Sequence, residues 1–179
     1  LAIYGAHLLY QLVDAPAATV AVIATSLAAL WLGRLFASEL YGLFAVAGSY
    51  SAPFLLNALA ASTTDLAIYY SAWSVLFCLY AVWIGSRRPY LLAAYLALLG
   101  FHLLSQVVLR QEWVGTLVFQ SLQFAIFLAG AIGYSVQRRS PLSGGEALAH
   151  LPLLLIFYAL QYDLLNRHAP AAAPWVALA

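Results

Sequence analysis

The stretch Gly48-Ser-Tyr-Ser-Ala-Pro53, with Asn57 one turn further on, is the part of this sequence best suited to hold a ligand. Pro53 has no N–H to offer the carbonyl of Ser49, so a helix running through it must kink or break. Carbonyls freed in this way, with the hydroxyls of Ser49 and Ser51 and the amide of Asn57, have two uses. They re-satisfy one another inside the protein, or they turn toward a substrate as in the interrupted helices of transporters. Gly48, Ser49, Ser51, Pro53 and Asn57 are therefore the candidate substrate or kink site, and a packed kink without a ligand is the plainer alternative.

Other residues suggest chemistry more faintly. Asp14 and Asp65 fall in adjacent breaks between apolar runs, where an envelope lipid or glycan transferase would place a carboxylate base; helix capping is the commoner use of such aspartates. Polar residues recur at three- and four-residue spacing as Tyr4, His7 and Gln11, as His102, Ser105 and Gln106, as Gln120 and Gln123, and as Tyr158, Gln161 and Tyr162. Each set shares a helix face and is expected to point into a bundle, either bonding helix to helix or lining a cavity. His7 and His102 alone could be set at one depth for a haem, and nothing else supports it. No carboxylate or cysteine is spaced to complete a metal site, so no cofactor and no metal are expected. The single Cys78 reads as a small buried apolar residue. No G-x-S-x-G, H-E-x-x-H or phosphate-loop pattern occurs, and no catalytic residue is assigned.

The elements that must position these groups are long apolar helices. The chain is 65% hydrophobic and only 7% charged, against about a quarter charged in soluble domains, so lipid must solvate most of it. Its net charge of +1 gives no reason to expect a nucleic-acid partner. Apolar runs cover approximately Ala2–Val13, Ala17–Leu35, Glu39–Ala60, Leu66–Gly85, Tyr90–Leu109, Trp113–Ser135 and Ala147–Leu165, most of them about 20 residues, the length that crosses a bilayer as helix. An eighth begins near Trp175. The expected fold is all-α: one polytopic transmembrane helical bundle over residues 1–179, with about seven spans plus the start of an eighth. Because it opens and closes on hydrophobic segments, the sequence reads as a fragment of a longer chain.

All seven basic residues are arginines, and Arg34, Arg87, Arg88, Arg138 and Arg139 occupy alternate breaks, with only Arg110 and Arg167 in the others. Arginine bias in short loops sets orientation, which makes the five-arginine side cytoplasmic. Trp31 and Trp83 near that side, and Trp113 and Trp175 near the other, fit aromatic belts. The breaks carry helix punctuation: Asp14-Ala-Pro16 and Pro89 open spans, and Ser62 to Asp65 and Ser143 to Glu146 have capping-box spacing. Small residues recur at Ala21, Thr25, Ala29 and Gly33, preceded by Ala17, and at Ser121, Ala125, Ala129 and Gly133. Such stripes let helix backbones approach closely, and both are candidate packing faces.

The segments Tyr10-Gln-Leu-Val-Asp-Ala-Pro16 and Tyr41-Gly-Leu-Phe-Ala-Val-Ala-Gly48-Ser-Tyr-Ser-Ala-Pro53-Phe-Leu-Leu56, continued by Leu66-Ala-Ile-Tyr-Tyr70, Trp83 and Arg87-Arg88, resemble a bacterial family of predicted membrane proteins catalogued as domain of unknown function 2339. Ser49 stands where that family usually has a second glycine. The resemblance covers the first half of the chain, implies an internal piece of a longer polytopic protein, and carries no activity or catalytic residue with it.

With short loops, no charge at mid-span and small-residue stripes, the expected role is that of a non-enzymatic inner-membrane scaffold or subunit of a larger membrane complex. Its partners would be membrane lipids and other membrane subunits, or the rest of its own chain. A transporter or flippase core built on the kinked third span, and an envelope transferase with an outer-face site, are the alternatives.

Overall fold

The computed structural model describes residues 2–8, 10–55, 62–108 and 113–177. Among them the structure is entirely helical: α1 (Ala2–Leu8), α2 (Ala15–Leu35), α3 (Glu39–Leu55), α4 (Thr63–Ile84), α5 (Arg88–Val108), α6 (Trp113–Arg138), α7 (Gly144–His168) and α8 (Ala173–Ala177).

Most of the punctuation read from the sequence is present. Asp14 Oδ1 accepts the amide of Ala17 at 3.0 Å, with Pro16 in the first turn of α2. Ser62 Oγ accepts the amide of Asp65 at 3.1 Å and opens α4. Ser143 and Glu146 form the full reciprocal box at the start of α7, satisfying amides that a helix start leaves without partners. Gly85 closes α4 at φ 76°, a left-handed backbone that only glycine adopts freely.

Among the described residues, four helices are long and apolar enough to cross a membrane: Pro16–Leu35, Thr64–Ile84, Trp113–Arg138 and Gly144–His168. The expected count of seven is larger. The first apolar run shortens to the seven residues of α1, because the chain leaves the helix before Tyr10 and Gln11 takes a left-handed φ of 49°. The helix over the third run has 17 described residues, and its remainder to Ala60, including Asn57, lies outside the described residues. α8 has five residues.

The bundle is organised around α5, which packs on α3, α4, α6 and α7. Its alanines at 93, 94 and 97 are fully buried, so neighbouring backbones come close. α4 lies against α6, with Cys78 wedged over Gly130, where an added methyl would sit 2.5 Å from the sulfur. α2 lies against α3, and the ring of Tyr80 from α4 enters the notch between Gly33 and Gly42. Outward faces are as apolar as the core: Phe44, Leu79, Val118 and Val136 are all more than half exposed. A surface of that kind suits lipid and not water.

Contacts between chain breaks show that the arginine-bearing breaks share one end of the bundle. Arg88 pairs with Glu39 at 2.7 Å, and Arg34 lies 5.7 Å from the centre of the Trp83 ring. Arg138 donates to the carbonyls of Val82 and Trp83 at 2.8 and 3.0 Å, closing the exposed end of α4. Trp31 and Trp83 meet at 6.4 Å on the same end.

Candidate functional site

Near the middle of the bundle, α3, α4 and α6 are tied by a buried polar network. The hydroxyl of Tyr50 lies 2.6 Å from Ser74 Oγ, which lies 2.5 Å from Gln123 Oε1, while Gln123 Nε2 donates to Ser71 Oγ at 2.9 Å. Ser49, Ser74 and Gln123 have no solvent exposure. α3 and α4 meet sparsely through their backbones, and aromatic rings fill the space between them: Tyr50 meets Tyr70 and Phe77 at a tilt, and Phe77 stacks on Trp73. An aromatic ring with a polar tip suits this position, since it fills volume and still reaches a distant carbonyl.

Pro53, which α3 carries without a break in the helix, is where these tips converge. Pro53 is buried inside α3 and leaves the Ser49 carbonyl without its helical donor. The hydroxyl of Tyr69 supplies the missing bond at 2.8 Å. Tyr70 donates to the carbonyl of Tyr50 at 3.2 Å, and Tyr4 from α1 donates to that of Gly48 at 2.9 Å. Ser51 Oγ turns back on its own helix, 2.7 Å from the Ala47 carbonyl, and Ser49 Oγ does so on Val46 at 3.1 Å. The carbonyls that the sequence left open to a ligand are thus met by side chains of the protein. Gly48 and Ser51 also border a groove of about 370 Å³ between α1, α2 and α3, which Tyr4, Thr25, Ser26 and Ala29 line from the other side. Two of the expected sites, the kink and the α2 stripe, are brought together there.

The expected packing stripes sit differently from their spacing. In α2 the buried line is Ala18, Val22, Ser26 and Leu30, ending at Gly33; Ala17 and Thr25 are exposed and Ala21 and Ala29 are half-buried. Ala18 and Val22 of that line pack with Ala52 of α3. In α6 the buried line is Thr116, Phe119, Gln120, Gln123, Phe127 and Tyr134, and the stripe Ser121, Ala125, Ala129 and Gly133 faces out. Ser121 nonetheless lies 3.4 Å from Gln161 of α7.

The polar faces divide in the same way. Gln120, Gln123 and Gln161 point inward, whereas Tyr158 and Tyr162 are about 40% exposed and stack on each other at the surface. Both amide atoms of Gln120 are without a partner among the described residues. His7 reaches the Val13 carbonyl at 2.8 Å rather than another helix, and Gln11 has left the helix that would align it with Tyr4. The side chains of Ser105 and Gln106 lie outside the described residues. Asp14 caps α2, and the carboxylate of Asp65, in the first turn of α4, accepts from the capping Ser62 Oγ at 2.7 Å.

The second polar assembly, at the arginine end, was not foreseen. Its place in an arginine-bearing break marks Arg87 as a loop charge that sets orientation, yet it is only 4% exposed. Its guanidinium donates to Glu146 at 2.9 Å, Ser135 at 3.1 Å and the Ser140 carbonyl at 2.8 Å, and covers the Tyr134 ring at 4.5 Å. Next to it, His150 Nδ1 is 2.6 Å from the Glu146 carbonyl, which only accepts, so that nitrogen carries the proton. In the neutral ring Nε2 then accepts from the hydroxyl of Tyr90 at 2.7 Å. Tyr90, Ser135 and His150 form the polar end of an otherwise apolar cavity of about 470 Å³ between α6 and α7. The clue in the sequence was Ser143-x-x-Glu146 following Arg138-Arg139: a capping carboxylate within reach of an arginine from another break. Among the described residues, no group of three or more His, Cys, Asp or Glu is placed to hold a metal ion.

No family model, no curated protein and no solved structure matches the chain.

Proposed function

We propose that this chain is the membrane-embedded scaffold part of a larger assembly in the bacterial inner membrane, working through packing and partners and not through chemistry of its own. The observation that carries the reading is the closed network at mid-bundle, in which Tyr50, Ser74 and Gln123 bond to one another and Tyr69 covers the carbonyl freed by Pro53. Polar groups consumed in this way hold helices together and are not available to a substrate. The outward line Ser121, Ala125, Ala129 and Gly133 adds a face on which another helix can approach. In the same reading the remaining apolar helices complete about seven crossings, the arginine end lies in the cytoplasm, and the chain is one piece of a longer protein resembling the uncharacterised bacterial family noted above.

Purification of the full-length protein in a mild detergent tests this. A complex larger than the single chain, with defined stoichiometry, is expected, and a monomer that carries neither protein nor lipid refutes it. A second reading, a transporter or flippase core, draws on the groove between α1, α2 and α3, where Gly48 and Ser51 meet Thr25 and Ser26. Substrate-dependent uptake or lipid scrambling by the protein in vesicles would favour that reading over the first.

A further inference from the structure

The cavity of about 470 Å³ between α6 and α7 falls within the roughly 300–1,000 Å³ typical of ligand sites, and its polar end has no proton left to give. Tyr90, Ser135 and His150 all line that end. The Tyr90 hydroxyl donates to His150 Nε2 at 2.7 Å, and His150 Nδ1 donates to the Glu146 carbonyl at 2.6 Å. Ser135 Oγ donates to the Ala131 carbonyl at 2.9 Å and accepts from Arg87 at 3.1 Å. The amide of Ala147, also at the wall, is bonded to the Ser143 carbonyl at 2.9 Å. What these residues can still offer is lone pairs, on the phenol oxygen of Tyr90 and on Ser135 Oγ. The end also carries no net charge, since the guanidinium bonded to Ser135 is paired with Glu146 at 2.9 Å. Apolar side chains form the rest of the wall. Leu128, Ile132 and Leu154 among them are each more than 40% exposed, so the cavity opens sideways along the helices.

We infer that this cavity binds a neutral lipid that brings its own hydrogen-bond donor, a diacylglycerol, with an acyl chain along Leu128 and Ile132 and its free hydroxyl donating to the Tyr90 oxygen. The donor count turns other lipids away. Ester, phosphate and quinone oxygens only accept, and against lone pairs alone they find no partner. A phosphate or carboxylate would also give up its water beside a site with no net charge to replace it. A free hydroxyl on an uncharged lipid meets both conditions. The inference rests on the proposed membrane-embedded reading.

The test places the full-length protein in phosphatidylcholine nanodiscs that carry equal amounts of a diacylglycerol and of its methyl ether, in which only the hydroxyl is capped. Native mass spectrometry then weighs the lipid released with the protein. Wild type should retain the diacylglycerol in preference by about fivefold, the worth of one hydrogen bond. His150→Phe keeps an aromatic ring but takes the acceptor from Tyr90, whose proton is then free for the ligand. A hydroxyl and an ether oxygen accept that proton alike, so the preference should vanish while both lipids are still retained. His168→Phe, the same change at the far end of α7, should leave the preference unchanged. Ile132→Trp, on the exposed rim, should reduce retention of both lipids. Equal retention of the two lipids by wild type overturns the inference, as does an undiminished preference in His150→Phe or an equal loss in His168→Phe. A dimer mass with no lipid overturns it too, because a second copy then occupies the cavity. Protein that fails to enter the nanodiscs overturns the membrane-embedded reading itself, whereas protein that enters and shows no preference counts against the site alone.

Discussion

Replacing Tyr69 by Phe should destabilise the bundle, and the size of the effect should depend on whether residue 53 is proline. The Tyr69 hydroxyl donates to the Ser49 carbonyl at 2.8 Å, and Ser49 is fully buried. That carbonyl needs an outside donor because Pro53 cannot supply one. Removing the hydroxyl leaves a buried acceptor unpaired, at a cost of about 1–3 kcal/mol in soluble proteins. Side-chain hydrogen bonds inside membrane bundles are weaker, averaging about 0.6 and reaching about 1.7 kcal/mol. A loss of roughly 1–1.5 kcal/mol is therefore expected for Tyr69→Phe in the proline background. In Pro53→Ala the amide of residue 53 can bond Ser49, and the same Tyr69→Phe change should cost less than about 0.5 kcal/mol. The coupling in the double-mutant cycle is then close to 1 kcal/mol, within the range for residues that share one acceptor. Unfolding in mixed micelles with increasing sodium dodecyl sulfate, followed by circular dichroism, measures all four proteins. Equal costs of Tyr69→Phe in both backgrounds would refute the argument, because the tyrosine would then not be standing in for the missing donor.

Other substitutions probe the packing at helix crossings. A Cβ at Gly42 would lie 2.8 Å from the Tyr80 ring, so Gly42→Ala should cost about 1–3 kcal/mol in the same unfolding assay. Tyr80→Phe should be neutral or stabilising by up to about 1 kcal/mol, since its buried hydroxyl has no partner among the described residues. It should also relieve Gly33→Ala, whose new methyl meets that hydroxyl. Glu146→Gln leaves the guanidinium of Arg87, only 2% exposed, without its counter-charge. It should cost about 1–3 kcal/mol, below the range for a fully buried pair because the glutamate is partly solvated. Arg88→Gln, which breaks an exposed pair with Glu39, should cost no more than about 1 kcal/mol.

How far the sequence disclosed this structure depends on the length of the signal. Helix ends were legible, since Asp14, Ser62 and Ser143 act on amides three residues away, within the local chain. The clustering of the arginine breaks at one end was legible too, because an even number of helices separates them. Helix rotation was not. Small-residue spacing in α6 marked Ser121, Ala125, Ala129 and Gly133, but the inward face is set by Gln120, Gln123 and Phe127, which have partners on other helices. The outward faces here are as apolar as the inward ones, so hydrophobic contrast does not distinguish in from out. The network Tyr50–Ser74–Gln123 joins three helices and has no local signature. The carbonyl that Pro53 leaves open is legible in the sequence, but the donor that meets it, Tyr69, lies on another helix.

The closed interior is the most direct point at which the account can fail. Single cysteines placed at Ser49 and Ser74 in a Cys78→Ala background, in native membranes, can be challenged with a water-soluble maleimide. Exposed positions at Gln137 and Asn166 serve as controls. Labelling is expected at the two controls, from opposite ends of the bundle, and none at residues 49 and 74, which are fully buried. Rapid labelling at Ser49 or Ser74 would mean that water reaches Pro53, and the scaffold reading would give way to a transport pathway.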